Sequence, residues 1–191
     1  MSGSEFMDLP SGWRFYYTLH PKITVVLSTI CPNGRVNLMP ASWNTPVSEE
    51  PPTVAVAVDK ESYTHECLSH RPEAVINVPS AEYADLVYSL GSVSGRDVDK
   101  VSKFGIRLVE SKTVNPPGWA DALALLEGRV YKSIDVGEVR LYVFEVLRVA
   151  VRRGVYTKWG YDFKETSVLL HGAGRSFYTV GRFIRAKRVE R

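Results

Sequence analysis

The chain of 191 residues contains no glutamine and only two cysteines, Cys31 and Cys67. The two cysteines lie far apart and form no C-x-x-C pair, so neither a disulfide framework nor a cysteine zinc site is expected. We expect both thiols to be reduced, small and buried. The shortage of amide side chains is one mark of proteins from thermophiles.

Long apolar runs are also absent. No stretch of about 18 apolar residues occurs, and the N-terminus has no basic segment followed by an apolar one. We therefore expect no membrane span, no signal peptide and a cytoplasmic location. The net charge of +3 is too small to indicate nucleic acid. Neither a membrane nor a nucleic-acid partner is predicted.

The two ends of the chain differ from the rest. Residues 1–6 resemble a cloning scar, so residues 7–191 are interpreted as a single domain. Basic residues concentrate in Arg182–Arg191. Such a segment is typical of a solvated tail or helix, and a salt-bridged arm across a partner subunit is the alternative.

Short β-branched and apolar runs dominate the remainder. They predict strands over 22–30, 36–39, 53–58, 73–79, 106–109, 130–134, 139–146, 167–170 and 177–180. Short helices are predicted up to His70, over 81–90 after Ser80 as a cap, and over 97–104 before Gly105. Residues 40–52 are predicted to be a loop, and 154–164 a loop or lid. This order, without regular βαβ alternation, predicts an α+β fold built on an antiparallel, Greek-key-like β-barrel.

The stretch Lys60–His65 joins a predicted strand to a predicted helix. Ser62 can cap the helix, because its hydroxyl can accept a hydrogen bond from a free N–H of the first turn. The other free N–H groups and the helix dipole favour an anion, at which Lys60 and the Thr64 hydroxyl can also point. These residues suit a single phosphate monoester, and an ordinary capped surface helix is the alternative.

Motifs for metals and dinucleotides are incomplete. His65 and His70 are five residues apart, about 140° round a helix, whereas a zinc-binding pair needs a spacing of four. Gly172-Ala-Gly174 lacks the third glycine of a dinucleotide-binding loop, and no Gly-x-Ser-x-Gly occurs. We predict no metal site and no α/β-hydrolase.

Other motifs follow one another in a characteristic order. They are Gly-Arg-Val-Asn-Leu-Met-Pro-Ala-Ser-Trp-Asn-Thr over 34–45, Pro51-Pro52 with Lys-Glu-Ser-Tyr-Thr over 60–64, Val-Ile-Asn-Val-Pro over 75–79, Ser-Gly-Arg-Asp-Val-Asp-Lys over 94–100, and His-Gly-Ala-Gly with Phe-Tyr over 171–178. Together they resemble the flavin reductase family with its FMN-binding split-barrel fold, and most closely its flavoredoxin and archaeal ferric-reductase branch. The resemblance spans about residues 20–182.

The resemblance implies a homodimer that binds FMN near the subunit interface. It implies that the loop Ala41–Thr45 lies against the isoalloxazine ring, that the Lys60–Thr64 segment holds the phosphate, and that His171 and Tyr178 line the substrate side. The residues implied for cofactor binding are Asn37, Ala41, Ser42, Trp43, Asn44, Thr45, Lys60, Ser62, Tyr63, Thr64, Asn77, Ser94, Arg96, Lys100, His171 and Tyr178. No catalytic side chain is implied, because the flavin carries the chemistry.

Several of these residues have a structural alternative. Strand-end and helix-cap roles would account for the candidate ribityl or phosphate contacts, which are Asn77, Ser94, Arg96 and Lys100. Trp43 would serve equally well as a core tryptophan. Structural roles are also open for His171 and Tyr178.

The family resemblance implies an oxidoreductase that passes a hydride or electrons through N5 of FMN. NAD(P)H would be the donor, and free flavin, a ferric chelate or a protein the acceptor. One departure favours a second hypothesis, because Val139 occupies the position of a histidine that helps to bind nicotinamide in many relatives. In that hypothesis a redox protein reduces the FMN, as in a flavoredoxin. A non-enzymatic β-barrel binding module is the third reading.

Overall fold

The computed structural model describes residues 5–186 and residue 188. Its helices are α1 (Tyr63–His70), α2 (Ala84–Gly91) and α3 (Lys100–Phe104), with 3-10 turns at Phe15–Leu19 and Ala81–Tyr83. Its strands are β1 (Lys22–Ile23), β2 (Val25–Ile30), β3 (Val36–Ala41), β4 (Asn44–Glu49), β5 (Pro52–Asp59), β6 (Glu73–Val78), β7 (Leu108–Val109), β8 (Gly118–Trp119), β9 (Ala124–Val136), β10 (Val139–Val151), β11 (Tyr156–Thr157), β12 (Gly160–Tyr161), β13 (Leu170–His171) and β14 (Phe177–Tyr178).

A seven-stranded antiparallel sheet forms the frame of the molecule, in the order β3-β2-β6-β9-β10-β5-β4. Strands β1, β13 and β14 form a small second sheet. The short helices lie between the strands in sequence, as the chain pattern predicts. The predicted α+β class and the antiparallel arrangement are confirmed.

Two clusters of buried apolar side chains hold the sheet and helices together. Val56 and Phe144 belong to the first cluster, which follows the central strands. Val26, Leu38 and Leu90 belong to the second, which joins β2 and β3 to α2. Helix α1 also contacts β3. The C-terminal end of α2 and the start of α1 therefore lie near each other beside this strand, where both line one cavity.

The predicted loop over residues 40–52 is wrong in part. Residues 44–49 form β4, which pairs with β5 at the edge of the sheet. Every residue of β4 after Asn44 is exposed, so the strand shows no apolar alternation that a sequence pattern could reveal. Pro46 lies at a register shift, where proline is tolerated within a strand.

The prediction of two reduced cysteines is also wrong, because Cys31 and Cys67 form a disulfide. Cys31 follows β2, Cys67 lies within α1, and neither sulfur-bearing side chain is exposed. Their separation of 36 residues gave no local motif. The pairing arises from the tertiary packing of α1 on β2, and it tethers α1 to the sheet.

The long hairpin is confirmed and is longer than predicted, since β9 and β10 each contain 13 residues. Gly137 adopts a positive φ of 56° at its turn, a conformation that favours glycine. Next to it, the backbone N–H of Lys60 donates a hydrogen bond to the Glu138 carbonyl at 3.0 Å. The hairpin end is therefore held beside the start of α1.

The remaining elements occur near their predicted positions with different bounds. The predicted loop or lid over 154–164 contains the small hairpin β11–β12. The strand predicted over 167–170 is observed only at Leu170–His171, and the one predicted over 177–180 only at Phe177–Tyr178. No helix in the described ranges is long and apolar enough to cross a membrane. Residues 1–4, 187 and 189–191 lie outside the described residues, so most of the cloning-scar prediction and part of the basic-tail prediction stay predictions.

Candidate functional site

The start of α1 is organised by the predicted cap. The Ser62 hydroxyl accepts a hydrogen bond from the His65 N–H at 3.2 Å and donates its own proton to the Asp59 carbonyl at 2.7 Å. The N–H groups of Tyr63 and Thr64 lie in the first turn, where the carbonyls four residues earlier are outside the helix, so the helix leaves them free. Ser62 therefore shapes the first turn, and its proton is already used within the turn.

Thr64 is hydrogen-bonded differently from Ser62. Its hydroxyl oxygen accepts a hydrogen bond from the Asn37 side-chain N–H of β3, with Nδ2 and Oγ1 2.9 Å apart. Both side chains are buried. Within the described part of the chain this is the single hydrogen bond of the Thr64 side chain, so its proton remains available for a ligand.

Arg96 lies across the same turn. Its guanidinium donates to the Glu61 carbonyl at 3.0 Å and to the Glu66 carboxylate at 3.2 Å, and it lies over the Tyr63 ring at 5.4 Å. Gly95 makes this approach possible, because a Cβ there would lie 2.2 Å from the Asn37 side-chain oxygen. Arg96 thus adds positive charge beside the free N–H groups of α1.

These groups surround a cavity of about 380 Å³ between α1, β3 and the segment after α2. Its lining includes seven of the predicted cofactor contacts, namely Asn37, Ser62, Tyr63, Thr64, Ser94, Arg96 and Lys100. We call it the α1 cavity. Lys60 does not line it, and the Lys60 ammonium has no ion pair or hydrogen bond among the described residues. The acidic side chain of Glu61 lies at its exposed margin.

Lys100 is a buried cation in the wall of the α1 cavity. Its ammonium donates to the carbonyls of Leu38 at 2.9 Å and Leu90 at 2.7 Å, and no carboxylate pairs with it among the residues described. Burial lowers the pKa of Lys100 to about 8. Burial also lowers the pKa of His65, with a smaller effect of Arg140, so the positive charge here comes from Arg96 and Lys100.

The loop predicted to face a flavin ring is the short connection between β3 and β4. The Ser42 hydroxyl lies 3.2 Å from Nδ1 of His171, and Nε2 of His171 lies 3.2 Å from the Gly174 carbonyl. Since a carbonyl can only accept, Nε2 carries the proton and Nδ1 accepts from Ser42. Trp43 is partly exposed and packs edge-on against Tyr16, with ring centroids 5.3 Å apart.

The two regions are connected by neighbouring cavities. A second cavity of about 510 Å³ is lined by His171 and Phe177 and shares Gly91 and Ser92 with the α1 cavity. Because His171 contacts Ser42, this second cavity leads from the α1 cavity towards the β3–β4 connection. The predicted phosphate end therefore lies at the α1 cavity, and the predicted ring end contacts a residue that lines the neighbouring cavity.

Other predicted residues lie apart from these cavities or serve the fold. Asn77 is fully buried. Its side-chain N–H groups donate to the Val26 carbonyl, the Ser28 hydroxyl and the Val75 carbonyl, and its side-chain oxygen accepts from the Trp119 N–H. Asn44 donates to two carbonyls that hold the β3–β4 connection. Thr45 is exposed on β4, Ala41 ends β3, and Tyr178 lines a separate cavity of about 190 Å³ beside His20.

Known proteins with similar sequences identify the family of this chain. A model of the flavin reductase like domain matches residues 17–177. The chain belongs to the flavin reductase-like family. Relatives include the uncharacterized protein YddH of Escherichia coli (strain K12), which is 33% identical over 156 residues that cover 80% of this chain and 82% of the relative. The resemblance drawn from the sequence motifs is confirmed.

Solved structures of similar proteins confirm the split-barrel fold. An FMN-binding protein from Thermus thermophilus, solved with bound 1-cyclohex-2-enone, is 25% identical with a TM-score of 0.80 and covers 98% of this chain and 100% of its own. Flavoredoxin of Desulfovibrio vulgaris (Miyazaki F) is similar in fold at 24% identity, with a TM-score of 0.82 and coverage of 94% and 97%. A high molecular weight rubredoxin of Moorella thermoacetica is 31% identical over 62% of this chain and 50% of its own length.

Proposed function

We propose that this protein is an FMN-dependent oxidoreductase in which the α1 cavity holds the phosphate of FMN. The observation that carries the proposal is the buried Thr64 hydroxyl, whose proton has no acceptor among the described residues and which lines a cavity beside Arg96 and Lys100. A phosphate supplies the acceptor that this hydroxyl lacks. Family membership makes a flavin the phosphate-bearing ligand of first choice.

The donor set fits a terminal phosphate monoester. The free N–H groups of Tyr63 and Thr64 donate from the positive end of α1. Arg96 has donors left after its bonds to Glu61 and Glu66, and a guanidinium suits a phosphate through its fork of N–H groups. The Glu61 side chain at the exposed margin opposes a second phosphate group there. We therefore propose FMN, with one terminal phosphate, in preference to FAD.

The ring end of the cofactor is assigned to the surface that joins Ser42 and His171. Backbone N–H groups of the β3–β4 connection would face the polar edge of the flavin, and His171 keeps Ser42 oriented. Trp43 would shield one face from water. When bound, FMN supplies hydride or electron transfer at its N5 atom, for which the chain needs no acid or base of its own.

In the first form of the proposal, NAD(P)H donates the hydride, and free flavin or a ferric chelate accepts the electrons. The residues of the site bind and orient the cofactor and exclude water from one side. The physiological acceptor then determines the activity, as expected for a protein whose own side chains do not react.

A second form is favoured by the end of the long hairpin. Val139 pairs with Asp59 next to the turn, and its apolar side chain offers no hydrogen bond to a carboxamide or a phosphate. The similarity to flavoredoxins in fold, and to a relative named as a rubredoxin, supports a redox protein as the electron donor or acceptor. In this form the protein acts as an electron-transfer flavoprotein.

We also propose a homodimer. A pocket of about 240 Å³ on the β5–β10 face is lined by three large apolar side chains that are also exposed, Phe15, Leu19 and Trp43. Contiguous exposed apolar surface marks an interaction site, and a second copy covering it would shield the neighbouring ring loop. Light scattering should give about twice the mass of one chain, and a monomer that still holds FMN would contradict the dimer.

The proposed cofactor can be tested directly on the purified protein. Absorbance bands of oxidised flavin should be present after purification or after incubation with FMN and desalting. Chromatography of the ligand released by denaturation should then identify FMN rather than FAD. A protein that stays colourless after incubation with FMN would overturn the proposal.

A further inference from the structure

The two hydroxyl groups at the start of α1 have opposite hydrogen-bonding roles. Ser62 donates its proton to the Asp59 carbonyl, so it has no proton for a ligand. Thr64 accepts from Asn37 and keeps its proton. The residue that creates this difference lies in another element, since Asn37 is in β3 and 27 residues away from Thr64.

The amide of Asn37 is held in a defined place. Its strand position is paired with Thr29 of β2, and its side chain is buried. On its other side the backbone of Gly95 packs so closely that a Cβ would lie 2.2 Å from Oδ1 and 2.9 Å from Cγ. Oδ1 has no hydrogen-bond partner among the described residues, so Asn37 makes its polar contact through Nδ2.

A hydroxyl that accepts a hydrogen bond from an amide N–H must donate its own proton in another direction. The Thr64 proton therefore points away from Asn37. The α1 cavity is the space that both residues line, and the Thr64 hydroxyl donates no hydrogen bond to any described residue there. An unused donor in a buried position favours a ligand acceptor, because a buried polar group without a partner is costly.

We propose that Asn37 is a positioning residue that fixes the Thr64 hydroxyl as a hydrogen-bond donor to the terminal phosphate of the cofactor. The proposal rests on the proposed function, since it requires FMN in the α1 cavity. It also predicts a ligand specificity, because the Asn37–Thr64 pair favours a flavin whose phosphate accepts the hydrogen bond from Thr64 over the same flavin without the phosphate. Asn37 should therefore contribute to the preference for FMN over riboflavin.

The test measures the dissociation constants of FMN and riboflavin by flavin fluorescence titration of the apo-protein. Asn37→Asp presents acceptors only, so the Thr64 proton turns back to residue 37 and is lost to the phosphate. We expect the riboflavin-to-FMN ratio of dissociation constants to fall about tenfold or more, as for a hydrogen bond to a charged group. Asn33→Asp adds the same charge in the exposed β2–β3 turn, where Asn33 already acts as an acceptor, and should leave the ratio unchanged.

A double-mutant cycle separates positioning from charge repulsion. In a Thr64→Val background there is no hydroxyl to orient, so we expect Asn37→Asp to cause little further loss. An equal loss in both backgrounds would assign the effect to repulsion and overturn the proposal. Equal weakening of FMN and riboflavin would assign Asn37 a structural role and overturn it as well.

If Asn37→Asp does not fold, Asn37→Leu removes the amide donor without adding charge. We expect it to lower the same ratio several-fold in the wild-type background but not with Thr64→Val, and an unchanged ratio would refute the assignment. Wild-type protein that binds neither flavin would instead reject the proposed function. The two failures are therefore distinguishable.

Discussion

We expect Lys100 to make FMN affinity dependent on pH. Lys100 is 4% exposed and lines the α1 cavity, and its ammonium is bound only by the carbonyls of Leu38 and Leu90 among the described residues. Because burial lowers its pKa to about 8, roughly nine in ten molecules carry the charge at pH 7 and one in ten at pH 9. An anionic phosphate in the cavity favours the charged form. FMN affinity should therefore fall above pH 8, by at most tenfold per pH unit.

The same group has the opposite effect on the stability of the apo-protein. The pKa of Lys100 falls from 10.5 to about 8 on folding, so between these values the unfolded chain binds more protons than the folded chain. The free energy of unfolding should therefore rise with pH across this window through Lys100. A pKa lowered from 10.5 to about 8 corresponds to a change in the free energy of unfolding of roughly 3 kcal/mol as an upper limit.

Lys100→Met isolates these effects, because its side chain has a similar length and does not titrate. FMN titrations and denaturant unfolding of the apo-protein would be compared for both proteins at pH 7, 8, 9 and 9.5. The FMN affinity of the wild type should fall as the pH rises, whereas that of the variant should stay constant. The riboflavin affinity of both proteins should also stay constant. Parallel profiles for the wild type and the variant would refute the assigned role of Lys100.

Three further perturbations test other parts of the structure. Reduction of the Cys31–Cys67 disulfide should lower the free energy of unfolding by about 2–4 kcal/mol and weaken FMN binding by loosening α1; equal melting temperatures with and without a phosphine reductant would contradict this. Gly95→Ala should weaken FMN at least several-fold, because the new Cβ collides with Asn37, whereas Gly181→Ala, with nothing within 4 Å, should not. NADH and NADPH should reduce the FMN-bound protein slowly under anaerobic conditions, since Val139 offers no hydrogen bond; rapid reduction that saturates at micromolar nucleotide, followed by flavin absorbance, would refute this.

Local signals in the sequence located α1 and its cap. Ser62 stands between an apolar strand and a short helix, and this order needs no tertiary information. The turn of the long hairpin and the end of α3 could be predicted in the same way, because a glycine marks each of them in the sequence. In the structure both Gly137 and Gly105 adopt a positive φ. Order and spacing of the motifs were sufficient for the family.

Contacts between distant segments could not be read in the same way. Both the Ser62 and the Thr64 hydroxyls were predicted to hold the phosphate, and only the positions of Asp59 and Asn37 show that their protons differ in availability. The Cys31–Cys67 pair depends on the packing of α1 against β2. The structural requirement for glycine at position 95 could not be predicted, because it arises from the Asn37 side chain in β3, which leaves no room for a Cβ.

We propose that the α1 cavity and the Ser42–His171 surface together hold one flavin mononucleotide per chain. Titration of the apo-protein with FMN, followed by quenching of flavin fluorescence, measures this most directly. We expect saturation at one FMN per chain, with Thr64→Val weakening the binding about tenfold to a hundredfold, as for a hydrogen bond to a charged group. Absence of saturable binding, or wild-type affinity in Thr64→Val combined with Arg96→Ala, would contradict the account.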